Sequence, residues 1–145
     1  MLGKIELLQQ LFGGVIIPKK VYSELISEGA PSRVQEWMEQ MPNWLEVRLV
    51  TGGNDSGLRN LDPGEREAIM LAENLAANLI IIDERAGRAI AEKRGLKVTG
   101  LLGVLELAAN ADLIELPTVI RALQKTNFRI APNLLNSVLN RHQNQ

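Results

Sequence analysis

Short apolar runs alternate with longer amphipathic stretches along this chain. The predicted strands are Val15–Ile17, residues 44–50, Leu79–Ile82 and Lys97–Thr99. Two of them, Val15–Ile17 and Leu79–Ile82, are unbroken apolar runs, which is typical of strands buried on both faces of a parallel sheet. Strands of this kind that alternate with helices predict an α/β fold, a three-layer sandwich with a short, mostly parallel sheet flanked by helices.

Apolar residues at helical spacing define the predicted helices, and prolines and glycines mark their ends. Asp62 as N-cap and Pro63 at the first helical position start the central helix. On the next helix, Ala86, Ala89 and Ile90 are expected to face inward. The predicted helices cover residues 5–12, 19–29, 33–41, 63–77, 84–95, 101–111, 118–127 and 133–142.

Composition narrows the chemistry that this chain can perform. Its 145 residues suffice for one domain, 1–145, with residues 141–145 expected to fray. It has no cysteine, which excludes disulfides, thiolate metal sites and cysteine nucleophiles. The single histidine, His142, lies in the polar tail, so neither a histidine-based triad nor a zinc site is expected.

Net charge and hydropathy bear on partners and location. The formal net charge is −1, so no overall basic field indicates nucleic-acid binding, although a local basic patch remains compatible with it. No apolar run reaches the length of a membrane span and no signal peptide is visible. A cytoplasmic protein without a membrane partner is therefore expected.

Two acids bracket the helix and strand at the centre of the chain. Glu65 lies in the first turn of the predicted helix, and Asp83 directly follows the strand Leu79–Ile82. In a parallel layer, a helix that precedes a strand begins at the edge where that strand ends, so the two carboxylates are expected to converge. Converging carboxylates repel one another and need a cation or shifted pKa values. Oxygen ligands without a thiol favour a hard cation such as Mg²⁺ or Mn²⁺.

Three further charged residues have more than one interpretation. Glu24 lies on the predicted helix 19–29, where the residues alone favour a solvated glutamate at the margin of the buried face. Arg85 and Arg88 lie in the first turns of the helix after Asp83. They either contact phosphate and balance the acidic site, or they belong to a solvated, salt-bridged surface.

Three segments of the chain resemble the prokaryotic PIN-like domains, in a largely uncharacterised branch related to the toxin ribonucleases of toxin–antitoxin pairs. They are LDPGEREAI, LIIIDERAGRAIAEKRGLKVTGLLGVL and IELLQQLFGGVIIPKKVYSELI, and the resemblance covers most of residues 4–140. It implies a Mg²⁺- or Mn²⁺-dependent ribonuclease, with RNA as substrate and an antitoxin protein as partner. Matched to the family acids, Glu24, Glu65 and Asp83 are expected to be catalytic and to hold the metal, with Glu84 as a further metal ligand.

The chain departs from that family at its start. PIN-like domains open with a central apolar strand that ends in an aspartate, whereas Met1–Lys4 already match the region after it. We therefore expect an N-terminally truncated PIN-like domain that lacks one direct metal ligand, binds Mg²⁺ or Mn²⁺ weakly or not at all, and cleaves little RNA. The unpaired edges of Val15–Ile17 and Leu79–Ile82 are expected to be covered by another copy, which gives a homodimer or larger assembly.

Two other functions remain as alternatives. A non-catalytic protein-interaction module, or the remnant of a toxin, would keep the fold without the nuclease activity. A flavodoxin-like ligand-binding domain is the third candidate, but no phosphate-cradling glycine loop follows any predicted strand. Metal titration separates the first two classes, since saturable Mg²⁺ or Mn²⁺ binding that needs Glu65 and Asp83 supports the enzyme.

Overall fold

The computed structural model of the protein describes residues 6–50 and 55–125. Within them the fold is α/β, as predicted. The helices are α1 (Glu6–Phe12), α2 (Lys19–Leu25), α3 (Ser32–Glu39), α4 (Pro63–Leu75), α5 (Arg85–Lys93), α6 (Leu101–Asn110) and α7 (Leu116–Gln124). The strands are β1 (Val15–Pro18), β2 (Leu45–Arg48), β3 (Ile80–Ile81) and β4 (Val98–Thr99), and a 3₁₀ helix spans Ser56–Leu58. Met1–Lys4, the predicted helix 133–142 and the predicted frayed tail 141–145 lie outside the described residues.

The strands pair in two parallel, two-stranded sheets. In one sheet, β1 pairs with β2 in a register that places Val15 opposite Leu45. In the other, β3 pairs with β4 and Ile80 lies opposite Val98. Over residues 6–50 and 55–125 no strand of one sheet pairs with a strand of the other. Helix α4 contacts both β1 and β3 and thus joins the two sheets.

The prediction that two strands are buried on both faces is wrong. In β3, Ile80 is 7% exposed while Ile81 is 41% exposed, and in β1 Ile16 is 40% exposed. Successive side chains of a strand point to opposite faces. A two-stranded sheet gives helices too little area to cover both of those faces, so one face remains open. The unbroken apolar run therefore alternates in burial.

Two apolar clusters form the core of the described residues. The first lies between α6 and α7, and the second joins the 3₁₀ helix, α4, β3 and α5. Their best-buried members are Leu105, Leu116, Ile120 and Leu123 in the first cluster, and Leu58, Ile69 and Ala91 in the second. The second cluster lies beneath the end of β3, so it fixes the position of whatever side chains follow that strand.

The buried face of α5 differs from the predicted one. Ala86 and Ala89, which were expected to face inward, are exposed, whereas Gly87 and Ala91 are buried. The reason is a close approach: a Cβ atom at position 87 would lie 2.9 Å from Cγ2 of Ile82. Helix α5 therefore packs on the end of β3 through a glycine, and the periodicity of its alanines does not report that contact.

Glycines at the ends of two helices have positive φ angles. Gly13 follows α1 with a φ of 76°, and Gly95 follows α5 with a φ of 81°. Left-handed backbone conformations favour glycine, so both residues end their helices as predicted. Within the described part of the chain, no helix has the length and apolar character needed to span a bilayer.

Candidate functional site

A cavity of about 440 Å³ opens where α2, the first turn of α4 and the end of β3 meet. Its lining includes the carboxylates of Glu24, Asp62, Glu65, Asp83 and Glu84. The other described lining residues are apolar side chains, a proline and a glycine, so none of them carries a positive charge. We call this site the acidic cavity. It brings together all four residues predicted to hold a metal.

Glu24 reaches the acidic cavity because α2 is tied to α4. The backbone N–H of Lys20 donates a hydrogen bond to Oε1 of Glu67 at 3.3 Å. Glu24 lies one helical turn after Lys20 and therefore on the same face of α2. Its carboxylate lies over the first turn of α4, since a Cβ atom at Gly64 would lie 3.3 Å from Oε2 of Glu24. Glu24 is exposed, yet its carboxylate lies at the cavity wall.

Glu65 is the most deeply placed acid of the cavity. It lies in the first turn of α4, and its Oε2 atom is shielded from solvent without a hydrogen-bond partner. Burial raises the pKa of the Glu65 carboxyl group, and the negative charges of Asp62 and Glu84 raise it further. A hydrogen bond with the Asp62 carboxyl group acts in the same direction. None of the described residues that line the cavity supplies a compensating positive charge to Glu65.

Asp62 was not predicted as a site residue. It occupies the N-cap position of α4, as expected, but its side chain makes no capping hydrogen bond there. It lines the acidic cavity beside Glu65 instead. The signal was present in the sequence as the spacing Asp62-Pro-Gly-Glu65, which places two acids on the first turn of one helix. Because a capping role for Asp62 already accounts for this spacing, it was not predicted from the sequence that Asp62 also lines the cavity.

Asp83 holds the end of β3 against the start of α6. Its Oδ1 atom accepts a hydrogen bond from the backbone N–H of Leu101 at 2.8 Å. The residue at the N-cap of α6 is Gly100, which has no side chain, so a carboxylate from a distant part of the chain supplies this cap. Asp83 therefore has a structural role in addition to its place in the cavity.

Arg85 and Arg88 do not line the acidic cavity. The Arg88 guanidinium donates hydrogen bonds to the backbone carbonyl oxygens of Ile82, at 3.3 Å, and of Asp83. It therefore braces the strand end that carries Asp83. Arg85 is exposed at the start of α5. Phosphate binding by either arginine stays a prediction.

The donor set of the cavity fits a hard divalent cation in its chemistry. All of its ionisable groups are carboxylates, and one of them has a shielded oxygen atom without a partner and a raised pKa. In the present geometry, however, no three acidic side chains of residues 6–50 and 55–125 lie close enough together to hold a metal ion. The carboxylates thus agree with a cation in charge and donor type but are not assembled as a closed ligand set.

A parallel α/β fold with acids at the end of a strand agrees with a family of nuclease-type folds. The chain belongs to the PIN domain family, whose family model matches residues 1–144. This match confirms the PIN-like, three-layer α/β assignment made from the sequence; the truncated start and the toxin-related branch stay predictions. No curated protein matches the chain, and no solved structure matches it. PIN domains generally use divalent metal ions, which agrees with the donor chemistry of the acidic cavity.

Proposed function

We propose that this protein is a Mg²⁺- or Mn²⁺-dependent ribonuclease of the PIN type that works at the acidic cavity. The observation that carries this proposal is the Glu65 carboxylate, which has a shielded, unpartnered oxygen atom among four other carboxylates. Unpaired charge in a shielded position destabilises a fold unless a ligand compensates for it. A bound divalent cation compensates for it directly.

The acids of the cavity divide into two groups. Glu65 and Asp83 would hold the cation, and Glu24 and Glu84 on the neighbouring walls would complete its shell or orient water. When bound, the cation supplies an activated water and stabilises charge at the phosphodiester. Because the cavity is lined by carboxylates, it repels the phosphates of RNA until the cation is present. RNA binding therefore depends on the cation.

We also propose that the cation binds weakly and that turnover is low. Oδ1 of Asp83 already accepts the Leu101 N–H, so its full engagement with a cation competes with the cap of α6. The raised pKa of Glu65 means that a proton competes for the same carboxylate. The predicted toxin role and the predicted antitoxin partner belong to this proposal as well, as properties of the PIN relatives that the sequence resembles.

Calorimetric titration with Mn²⁺ tests the proposal, followed by cleavage of a fluorescent single-stranded RNA. We expect saturable binding that is lost or strongly weakened in Glu65→Gln and in Asp83→Asn, and slow cleavage that fails in the same two variants. Glu92→Gln, which removes an exposed acid of α5 outside the cavity, is the matched control. No saturable Mn²⁺ binding, or binding that both cavity variants retain, would show that the proposal is wrong.

A second candidate function, the protein-interaction module, is favoured by the open edges of β1 and β3. Each strand has one paired neighbour within the described residues and carries an exposed isoleucine, Ile16 or Ile81. Exposed apolar strands of this kind promote association. We propose that a second copy of the chain covers them. Sedimentation equilibrium at micromolar concentration should show a dimer or larger species that Ile16→Lys dissociates, and a single species near 16.0 kDa would refute this assembly.

A further inference from the structure

Each of the three predicted catalytic acids lies against a glycine from another structural element. A Cβ atom built on Gly87 would clash with Oε2 of Glu65. One built on Gly100 would lie 3.0 Å from Oδ1 of Asp83 and equally close to Nη1 of Arg88. One built on Gly64 would lie 3.3 Å from Oε2 of Glu24. The repeated arrangement places a carboxylate where any side chain on the facing residue would crowd it.

Backbone conformation does not explain these three glycines. Gly64, Gly87 and Gly100 do not have the positive φ angles that favour glycine. Gly13 and Gly95 show the opposite combination, with positive φ angles and nothing within 4 Å of a built Cβ atom. The glycines at the acidic cavity therefore provide space for a neighbouring side chain, and not an unusual backbone conformation.

We propose that Gly87 is a positioning residue that lets the Glu65 carboxylate occupy the acidic cavity, and that Gly100 and Gly64 do the same, with smaller effects, for Asp83 and Glu24. The assignment rests on the proposed function in so far as the positioned carboxylates are cation ligands. The placement of Glu65 by Gly87 is a geometric statement that holds without any cation.

The surroundings of Gly87 decide which group would move. Its built Cβ atom also lies 2.9 Å from Cγ2 of Ile82, and separations below 3.0 Å force a shift. Ile82 is only 5% exposed and packs in the second core cluster, whereas the Glu65 carboxylate is the far end of a flexible side chain that lines the acidic cavity. Glu65 has the freer path. A methyl group at position 87 therefore displaces the carboxylate.

The first experiment compares Gly87→Ala with Gly29→Ala in Mn²⁺ titrations. Gly29 is a matched control because it has no neighbour within 4 Å of a built Cβ atom and no positive φ angle. We expect Gly87→Ala to lower the Mn²⁺ affinity about tenfold or more, as loss of a group that orients a metal ligand typically does. Gly29→Ala should bind like the parent chain, and equal affinity of the two variants would overturn the proposal.

A double-mutant comparison separates positioning from a general loss of structure. In a Glu65→Gln background the ligand is already removed, so Gly87→Ala should cause little further loss of affinity. An equal loss in both backgrounds would mean that Gly87 acts through the fold and not through Glu65. Gly100→Ala provides a second test, since it should weaken Mn²⁺ binding more than Gly64→Ala does.

Metal-free crystal structures keep this inference separate from the proposed function. In Gly87→Ala the Glu65 carboxylate should leave the position that it has in the parent chain, while α5 moves only by the small shift that relieves the contact with Ile82. A carboxylate that stays, with α5 pushed away instead, overturns the positioning role. If the parent chain binds no Mn²⁺, the proposed function fails, and the crystallographic comparison still decides the role of Gly87.

Discussion

Two acid-rich regions of this molecule differ in whether a positive charge lies beside their carboxylates. In the acidic cavity, five carboxylates share a lining that carries no positive charge among the described residues. About the other end of α4, Arg94 donates hydrogen bonds to Asp55 at 2.8 Å and to Glu73 at 2.9 Å. We call the second group the arginine node. It ties α4, α5 and the segment before the 3₁₀ helix together.

The pKa of an acid is shifted in opposite directions in the two regions. In the arginine node, the hydrogen bond from Arg94 lowers the pKa of Asp55. In the acidic cavity, burial and neighbouring carboxylates raise the pKa of Glu65. The node uses its acids to hold the structure, whereas the cavity leaves an acid uncompensated at a cost in stability. A carboxyl group with a shifted pKa and one shielded oxygen atom without a partner favours a ligand-binding site.

The largest expected effect comes from making the cavity resemble the node. Ile81 lines the cavity and is 41% exposed, so Ile81→Lys places an ammonium group beside the carboxylates. Repulsion between this group and a divalent cation should lower Mn²⁺ affinity by at least about tenfold. The neutral variant Ile81→Gln serves as the control and should keep most of the affinity. Calorimetric titration measures both, and equal losses would show that charge is not what the cavity selects.

Breaking the node should lower stability without changing Mn²⁺ binding. Arg94→Gln leaves Asp55 and Glu73 without their cation, so we expect a fall of a few degrees in Tm at neutral pH. The stabilisation by Asp55 is present above its ordinary pKa of 3.8 and is lost as the pH falls through its lowered folded-state value. The difference in Tm between parent and variant should therefore shrink in acid. A constant difference across pH would contradict this account.

Asp83 is expected to separate structure from function within the cavity. Asp83→Ala removes the acceptor for the Leu101 N–H, and loss of a helix cap typically costs about 1 kcal/mol. Asp83→Asn keeps an oxygen acceptor, so its unfolding free energy should stay close to that of the parent. Urea denaturation compares the two variants. Equal stabilities would show that the cap of α6 contributes nothing.

The smallest expected effect is a change in how the free energy of unfolding depends on pH. The raised pKa of Glu65 means that the folded state holds this proton more tightly than the unfolded state does. Stability therefore falls as the pH rises from the ordinary value of 4.5 through the raised one. Glu65→Gln should remove this fall and be more stable at neutral pH by on the order of 1 kcal/mol or less. Metal-free urea unfolding across that range measures it, and identical slopes in parent and variant would contradict the shift.

The sequence predicted the elements that place the cavity. Asp62 and Pro63 start α4, and the apolar run before Asp83 is a strand, because capping and strand signals are local. The convergence of Glu65 and Asp83 followed from a general property of parallel layers. That property depends on topology alone. In the structure both residues line one cavity.

Contacts between distant residues could not be read from the same patterns. The exposure of Ile81 depends on how few strands pair beside it, which no local run encodes. The burial of Gly87 depends on Ile82 and Glu65, both outside its own helix. Arg88 had two open interpretations. In the structure its guanidinium group donates hydrogen bonds to backbone carbonyl oxygens, and this contact could not be predicted from the sequence.

The two tryptophans of the chain lie together in one part of the fold. Trp37 is on α3 and Trp44 directly precedes β2, and their ring centroids are 6.0 Å apart. Intrinsic fluorescence at tryptophan wavelengths therefore observes only the surroundings of the β1–β2 sheet. Circular dichroism, in contrast, averages over every helix. Tryptophan fluorescence thus reports the unfolding of one sheet, which can be compared with the loss of helix measured by circular dichroism.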